Sequence, residues 1–257
     1  ESPSYARLAK LLEQKARAAG YQLLIASSDD NPNSERQLIS LFRSRRCAAL
    51  IVASCLPQDD PLYPKLVSDG LPIIAVDRAL CPGHIRSVIS DDEAAGQQLT
   101  HSLLTPKPRH IALLGARPEL VISQARERGF HKALADFDGR VSVYHSEHFN
   151  RDSGYQQMHD LIAADGPPDA LITTAYVLLE GVLDAIYQQP DAAWSALRLA
   201  TFGDTRLLDF LPMRVNTTSQ QHEQIAERVM AWALQAVEQA DYQPGIEAIS
   251  RRFRARI

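Results

Sequence analysis

Two kinds of apolar pattern alternate along this 257-residue chain. Short, nearly unbroken apolar runs predict strands buried on both faces, and stretches with apolar residues every third or fourth position predict amphipathic helices. The runs are YQLLIA at 21–26, ALIVA at 49–53, PIIAV at 72–76, SVIS at 87–90, HIALLG at 110–115, VSVY at 141–144, ALIT at 170–173, LATF at 199–202 and VNTTS at 215–219. Helices are predicted over 4–19, 34–45, 62–70, 93–104, 123–135, 152–164, 177–188 and 223–240. In the first helix Tyr5, Leu8, Leu12, the stem of Lys15 and Ala19 share a face; in the second, Leu38, Leu41 and Phe42 do. Gly20 ends the first helix, Ser34 caps the second, and Asp91-Asp92 cap the helix at 93–104 and favour its positive end. At 249–257, Arg251, Arg252, Arg254 and Arg256 alternate with Phe253, Ala255 and Ile257, which predicts a closing strand with one charged face.

Strand and helix alternate in this way twice. That predicts an α/β fold of two doubly wound parallel-sheet lobes with right-handed crossovers and helices on both faces. The length suits two lobes of about a hundred residues each. The second lobe opens on a strand, at 110–115, but the first opens on a helix. The first strand of such a sheet usually lies in its middle, so an unfilled slot with unpaired backbone is expected there.

Composition narrows the function classes. Net charge is −4, from 27 Lys and Arg against 31 Asp and Glu, so there is no global basic field for nucleic acid. Cys47, Cys55 and Cys81 cannot all pair and match no zinc spacing; they read as reduced thiols of a cytoplasmic protein. No secretory leader and no long apolar span is expected. The chain lacks GxGxxG, GxxxxGK[ST] and GxSxG patterns. Its histidines, His145 and His148 included, are scattered without metal-ligand spacing. No catalytic residue, metal ligand or cofactor is expected.

Candidate chemistry centres on residues 112–130, ALLGARPELVISQARERGF, read as a strand, a crossing loop closed by Pro118, and a helix opened by Ser123. Such junctions bind small molecules in parallel α/β sheets. Arg126 is the residue that would reach a guest; spacing alone favours instead an arginine on a solvated helix face. Polar residues fall at other strand ends: Ser54-Cys55, Asp77-Arg78, Asp91, Thr174 and Asp204, with Gln220 after the strand at 215–219. Asp77 could take sugar hydroxyls, while Asp77-Arg78 could equally be a local salt bridge. Phe149 could stack on a sugar face or belong to the core. Tyr5, Arg117, Ser123 and Tyr176 complete the candidate set. Together these residues point to one inter-lobe ligand site.

The stretches PSYARLAKLLEQKARAAGYQLLIASSDDNP, ASCLP, PIIAVDRAL, GARPELVISQARERGF, ALITTAYVLLEGVLDAI and ATFGDTRLLDFLP carry a resemblance over essentially the whole chain. It resembles the effector-binding region of the lactose-repressor family of transcription factors. VDR and Arg-x-x-Gly-Phe are general to that family; the last three stretches are particular to its fructose-repressor branch. The resemblance implies a periplasmic-binding-protein-like fold whose lobes are joined by three crossovers, near Ser90, Gln220 and Ala248. The lobes would be 1–89 plus 220–247 and 90–219 plus 248–257. It also implies a ligand arginine at Arg126, a strand-end aspartate at Asp77, a stacking aromatic at Phe149, a second-lobe acid at Asp204 and a closing glutamine at Gln220. Where the family has Asn-Asp, this chain has Ala175-Tyr176 after Thr174, which argues against an unmodified sugar. Arg78, Arg117 and Arg126 agree instead with the branch's effector, fructose 1-phosphate. The resemblance further implies a homodimer or tetramer. Operator DNA would be bound only through an N-terminal head which, like the family's first strand, lies outside these residues.

The expected function is therefore an effector-sensing domain of a regulator of carbon metabolism, not an enzyme. The alternatives are a sugar-phosphate isomerase or kinase on a similar scaffold, which the missing motifs disfavour, and a secreted solute-binding protein, which the free thiols disfavour.

Overall fold

The structure, a computed structural model, describes residues 3–188, 194–238 and 242–256. Its elements in order are α1 (Pro3–Ala18), α2 (Pro32–Ser44), β1 (Leu50–Val52), α3 (Leu62–Ser68), β2 (Ile73–Val76), β3 (Arg86–Ser90) and α4 (Asp92–His101). There follow β4 (His110–Ala116), α5 (Val121–Ala133), β5 (Arg140–Ser146), α6 (Arg151–Asp165), β6 (Ala170–Thr173), α7 (Tyr176–Tyr187) and β7 (Arg198–Phe202). The chain closes with β8 (Val215–Ser219), α8 (His222–Glu238), β9 (Gly245–Ile249) and β10 (Arg252–Arg254). Two compact units form, Glu1–Ser90 with Gln221–Ile249 and Asp91–Gln220 with Ser250–Ile257, so the chain passes between them three times.

The first unit holds a four-stranded parallel sheet in the order β1-β2-β3-β9. Alternation along β2 sets its two faces. Ile74 and Val76 pack with Leu8, Leu12 and Ala16 of α1 and Ile225 and Val229 of α8. Ile73 and Ala75 pack with Ile39 of α2 and Tyr63 and Leu66 of α3. The cap of α2 is Asn31, not Ser34: its side chain accepts from the Asn33 and Ser34 amides, and Pro32 fills a first-turn position that needs no amide. The buried residues of α2 are Glu35 and Ile39; Phe42 packs against the same core as expected, while Leu41 stays 46% exposed.

Residues 21–26 form no strand, against the sequence expectation. A strand exists by pairing, and β1 pairs with β2 alone. Leu24 and Ile25 are left 55% and 63% exposed. A cavity of about 350 Å³ lies against this segment, lined by Leu23, Leu24, Leu38, Ile39 and the residues of β1. No strand among the described residues pairs with this apolar run.

The second unit holds a six-stranded sheet in the order β10-β8-β7-β6-β4-β5, parallel except for the antiparallel edge strand β10. Ala112, Leu114, Leu171, Leu199 and Val215 pack against α6 and α7 through Met158, Leu161, Leu179 and Val182. Ile111, Leu113, Ile172, Ala200 and Phe202 pack against α4 and α5 through Ala95, Leu99 and Phe130. The helices on each face meet through glycines. A Cβ on Gly129 of α5 would stand 2.1 Å from the Glu93 carbonyl of α4, and one on Gly96 would stand 2.5 Å from the Arg126 carbonyl. Gly154 of α6 and Gly181 of α7 make the same close approach, at 2.1 Å and 1.9 Å. The closing stretch is not one strand: the chain breaks at Ser250-Arg251, because β9 belongs to the first sheet and β10 to the second. Ile257 and the predicted end of the last helix at 239–240 lie outside the described residues.

Candidate functional site

In the second unit the sequence delivers Arg126 to the carboxyl ends of its strands. The glycine contact holds α5 close to α4, and Arg126 lies one turn before Gly129. The solvated reading of Arg126 is overturned: the residue is 8% exposed. Its Nε donates to Asp92 Oδ1 at 2.9 Å, its Nη1 donates to the Thr174 carbonyl at 2.8 Å, and its guanidinium lies 4.7 Å from the centroid of the Phe202 ring. Its Nη2 makes no hydrogen bond among the described residues. Arg251 also pairs with Asp92 Oδ1, at 2.9 Å. Thr174, just beyond β6, is 2% exposed, and its Oγ1 has no hydrogen-bond partner among the described residues. This is a planar donor oriented by two protein oxygens, with one edge left over.

In the first unit a second polar group forms beyond β1 and β2. Asp77 takes φ of +69°, a left-handed conformation that Asp tolerates better than most residues. Its Oδ2 accepts from the Tyr5 hydroxyl at 2.7 Å. Burial, and then Asp77, push the Tyr5 phenol well above its ordinary range. Arg78 donates through Nη1 to Asp30 Oδ1 at 3.1 Å and to the Ser54 carbonyl at 3.0 Å. Its acid partner is thus Asp30, not simply the adjacent Asp77 that sequence suggested. Ser54 is committed to structure: its hydroxyl and that of Tyr63 both donate to Glu35 Oε1, and the Cys55 amide donates to Oε2 at 2.7 Å.

Other candidates are tied down elsewhere. Asp204 is paired with Arg256 at 2.6 Å and Arg254 at 3.6 Å, so its carboxylate is neutralised by the closing stretch. Ser123 does not open α5, which begins at Val121; its hydroxyl donates back to the Ala116 carbonyl at 2.8 Å. Arg117, at φ +49°, pairs with Glu119 at 2.8 Å. Phe149 is half-buried in the loop before α6, Tyr176 opens α7, and Gln220 stands at the second chain passage. Sequence reasoning missed Asp92, Phe202, Arg251, Asp30 and Glu35. Asp91 does cap α4, accepting from the Ala94 amide at 3.0 Å, but its neighbour Asp92 turns inward to Arg126.

Two features bear on reactivity. His110 Nε2 meets Ser142 Oγ at 2.9 Å, and that hydroxyl donates to Asp165 Oδ2 at 2.6 Å. The acid therefore sits on the serine and not on the histidine, the wrong order for activating a nucleophile. Burial, with Arg140 adding to it, lowers the His110 pKa. The Cys55 thiol is pushed up to about 12, by burial first and by Glu35 second. At pH 8 very little of it is then thiolate. Iodoacetamide at pH 8, followed by peptide mass spectrometry, should leave Cys55 largely unmodified; labelling as fast as free cysteine would contradict this. Among the described residues no group of three or more His, Cys, Asp and Glu side chains could hold a metal ion. No helix among them is long and apolar enough to cross a membrane.

Known proteins resemble this chain over its full length. Residues 1–177 match the family of periplasmic binding proteins and sugar binding domains of the LacI family. The fructose operon regulatory protein of Vibrio cholerae is 48% identical over 256 residues, covering 100% of this chain and 78% of that protein. The catabolite repressor/activator of Escherichia coli K12 is 37% identical over 254 residues, covering 98% of this chain and 76% of that protein. The solved Cra transcriptional dual regulator of Pseudomonas putida, in complex with fructose 1-phosphate, is 57% identical with a TM-score of 0.94, covering 100% of this chain and 95% of that one. Two parallel sheets wound on both faces, an inward strand-end arginine and these relatives agree: the chain belongs to the LacI family, as its periplasmic-binding-protein-like sugar-binding domain.

Proposed function

We propose that this chain is the effector-sensing part of a transcription regulator of carbon metabolism, and that it binds fructose 1-phosphate without transforming it. The observation that carries this reading is the Arg126 fork, buried, oriented by Asp92 and the Thr174 carbonyl, and left with Nη2 for a guest. Asp92 faces two guanidiniums, Arg126 and Arg251, a cationic setting that suits an anionic guest. The Pseudomonas putida relative, solved with fructose 1-phosphate, supports the same guest. Thr174 supplies an unpartnered hydroxyl beside the fork. Tyr5, Asp77 and Arg78 supply further donors and acceptors in the first unit. The serine-centred His110–Ser142–Asp165 chain supports a sensor over an enzyme.

In this reading the protein works as a homo-oligomer and meets operator DNA through a separate head. The effector acts by binding one of two states of the regulator more tightly than the other. Isothermal titration with fructose 1-phosphate, fructose, fructose 1,6-bisphosphate and inorganic phosphate tests the reading. Fructose 1-phosphate should bind, and fructose should bind about a hundred-fold more weakly, since it lacks the charged group. Absence of heat with fructose 1-phosphate, or steady release of phosphate from it, would overturn the reading.

A further inference from the structure

Asp92 Oδ1 receives two arginines, Arg126 and Arg251, each at 2.9 Å. The Phe202 ring lies against both guanidiniums, 4.7 Å from that of Arg126 and 5.4 Å from that of Arg251. All three charged side chains are nearly sealed from water, at 9%, 4% and 5% exposure for Arg126, Asp92 and Arg251. One arginine would suffice to neutralise one carboxylate. Burying a second guanidinium is unfavourable unless the surroundings use it. Here it holds the carboxylate from a second direction, so Asp92 cannot swing away from Arg126 Nε.

The origin of Arg251 gives this a further meaning. It lies in the two-residue connection between β9 and β10, directly after the chain's third passage into the second unit. Asp92 opens α4, two residues after the first passage. Both side chains behind the Arg126 fork therefore sit where the chain has just changed units.

We propose that Arg251 is a positioning residue for effector binding, acting through Asp92 to fix the Arg126 fork, and that it links the ligand arginine to the third chain passage. This rests on the reading that Arg126 meets a sugar phosphate. It accounts for a second buried guanidinium on the carboxylate that already orients Arg126.

The test uses the chain with Arg251→Gln, Arg251→Lys, Asp92→Asn and the Asp92→Asn/Arg251→Gln double variant. Titration with fructose 1-phosphate should show Arg251→Gln about ten-fold weaker than the parent and Arg251→Lys in between, since lysine keeps the charge and loses the fork. The double variant should bind no more weakly than Asp92→Asn alone, because both changes cut one path. Without ligand, the 15N-edited Nε–H resonance of Arg126, assigned by its loss in Arg126→Lys, should be sharp in the parent and broadened in Arg251→Gln. A purely structural Arg251 would lower the unfolding midpoint and leave both affinity and that resonance in place, which overturns the proposal. If Arg251→Gln does not fold, Arg251→Lys decides: affinity within two-fold and an unshifted Arg126 resonance overturn it. If the parent gives no heat with fructose 1-phosphate, the functional reading fails, and the ligand-free resonance still decides the positioning role.

Discussion

Arg126→Gln should cost at least about a hundred-fold in affinity for fructose 1-phosphate, roughly 3 kcal/mol, the scale of a lost charge-assisted fork. Glutamine is short and neutral, so the Nη2 edge is removed and Thr174 loses a donor to its carbonyl. Asp92 keeps Arg251. For that reason the stability cost should stay near 1–3 kcal/mol, below that of stranding a buried carboxylate outright. Arg126→Lys should also bind poorly, because an ammonium cannot serve Asp92, the Thr174 carbonyl and a guest in one plane. Calorimetric titration and urea denaturation of each variant separate the two effects. Full affinity in Arg126→Gln would remove the basis of the functional reading.

Gly129→Ala should be more damaging than its chemistry suggests, destabilising the second unit by about 3 kcal/mol. Alanine is the better helix former by about 1 kcal/mol, which partly offsets the clash. The added carbon would stand 2.1 Å from the Glu93 carbonyl and 2.8 Å from the Gln97 amide, both backbone atoms of α4 that cannot rotate aside. The helices must separate, and the 2.9 Å pair between Arg126 on α5 and Asp92 on α4 separates with them. Affinity for fructose 1-phosphate should fall together with the urea midpoint. Gly154→Ala is the control: its carbon would meet the Leu178 carbonyl at 2.1 Å, a similar clash between α6 and α7 on the other face of the sheet. It should lower the midpoint and leave affinity within a few-fold. Equal affinity losses in both variants would break the link between the α4–α5 contact and the site.

Particular elements show how far the sequence could be read. The strands over 170–173 and 215–219 were legible because each is a short apolar or β-branched run flanked by a neighbour on both sides, where burial decides. Residues 21–26 carried the same signal and formed no strand, because pairing depends on a neighbour that local pattern does not report. The break at Ser250-Arg251 was hidden for a related reason: a single alternating stretch was divided between two sheets. The strand-end rule picked out Asp77, Arg78 and Thr174, each of which lies just beyond a strand of its own unit. It did not separate Arg126, which is buried, from Arg128, which pairs with Glu93 at the surface. Two residues apart on α5, they point to opposite faces; what marks the Arg126 face as the one that is paired and buried is Asp92, 34 residues away. Glu35 was equally invisible, a buried acid whose partners come from a loop and a third helix.

The left-handed backbone at Asp77 restricts the mutational vocabulary of that strand end. Only glycine, asparagine and aspartate enter that conformation readily, and branched or bulky side chains are strongly resisted. Substitution there can therefore neutralise or delete the carboxylate, but cannot readily lengthen it or replace it with a bulky apolar group. Diversification of the first unit is channelled to Tyr5 and Arg78, whose backbones carry no such restriction.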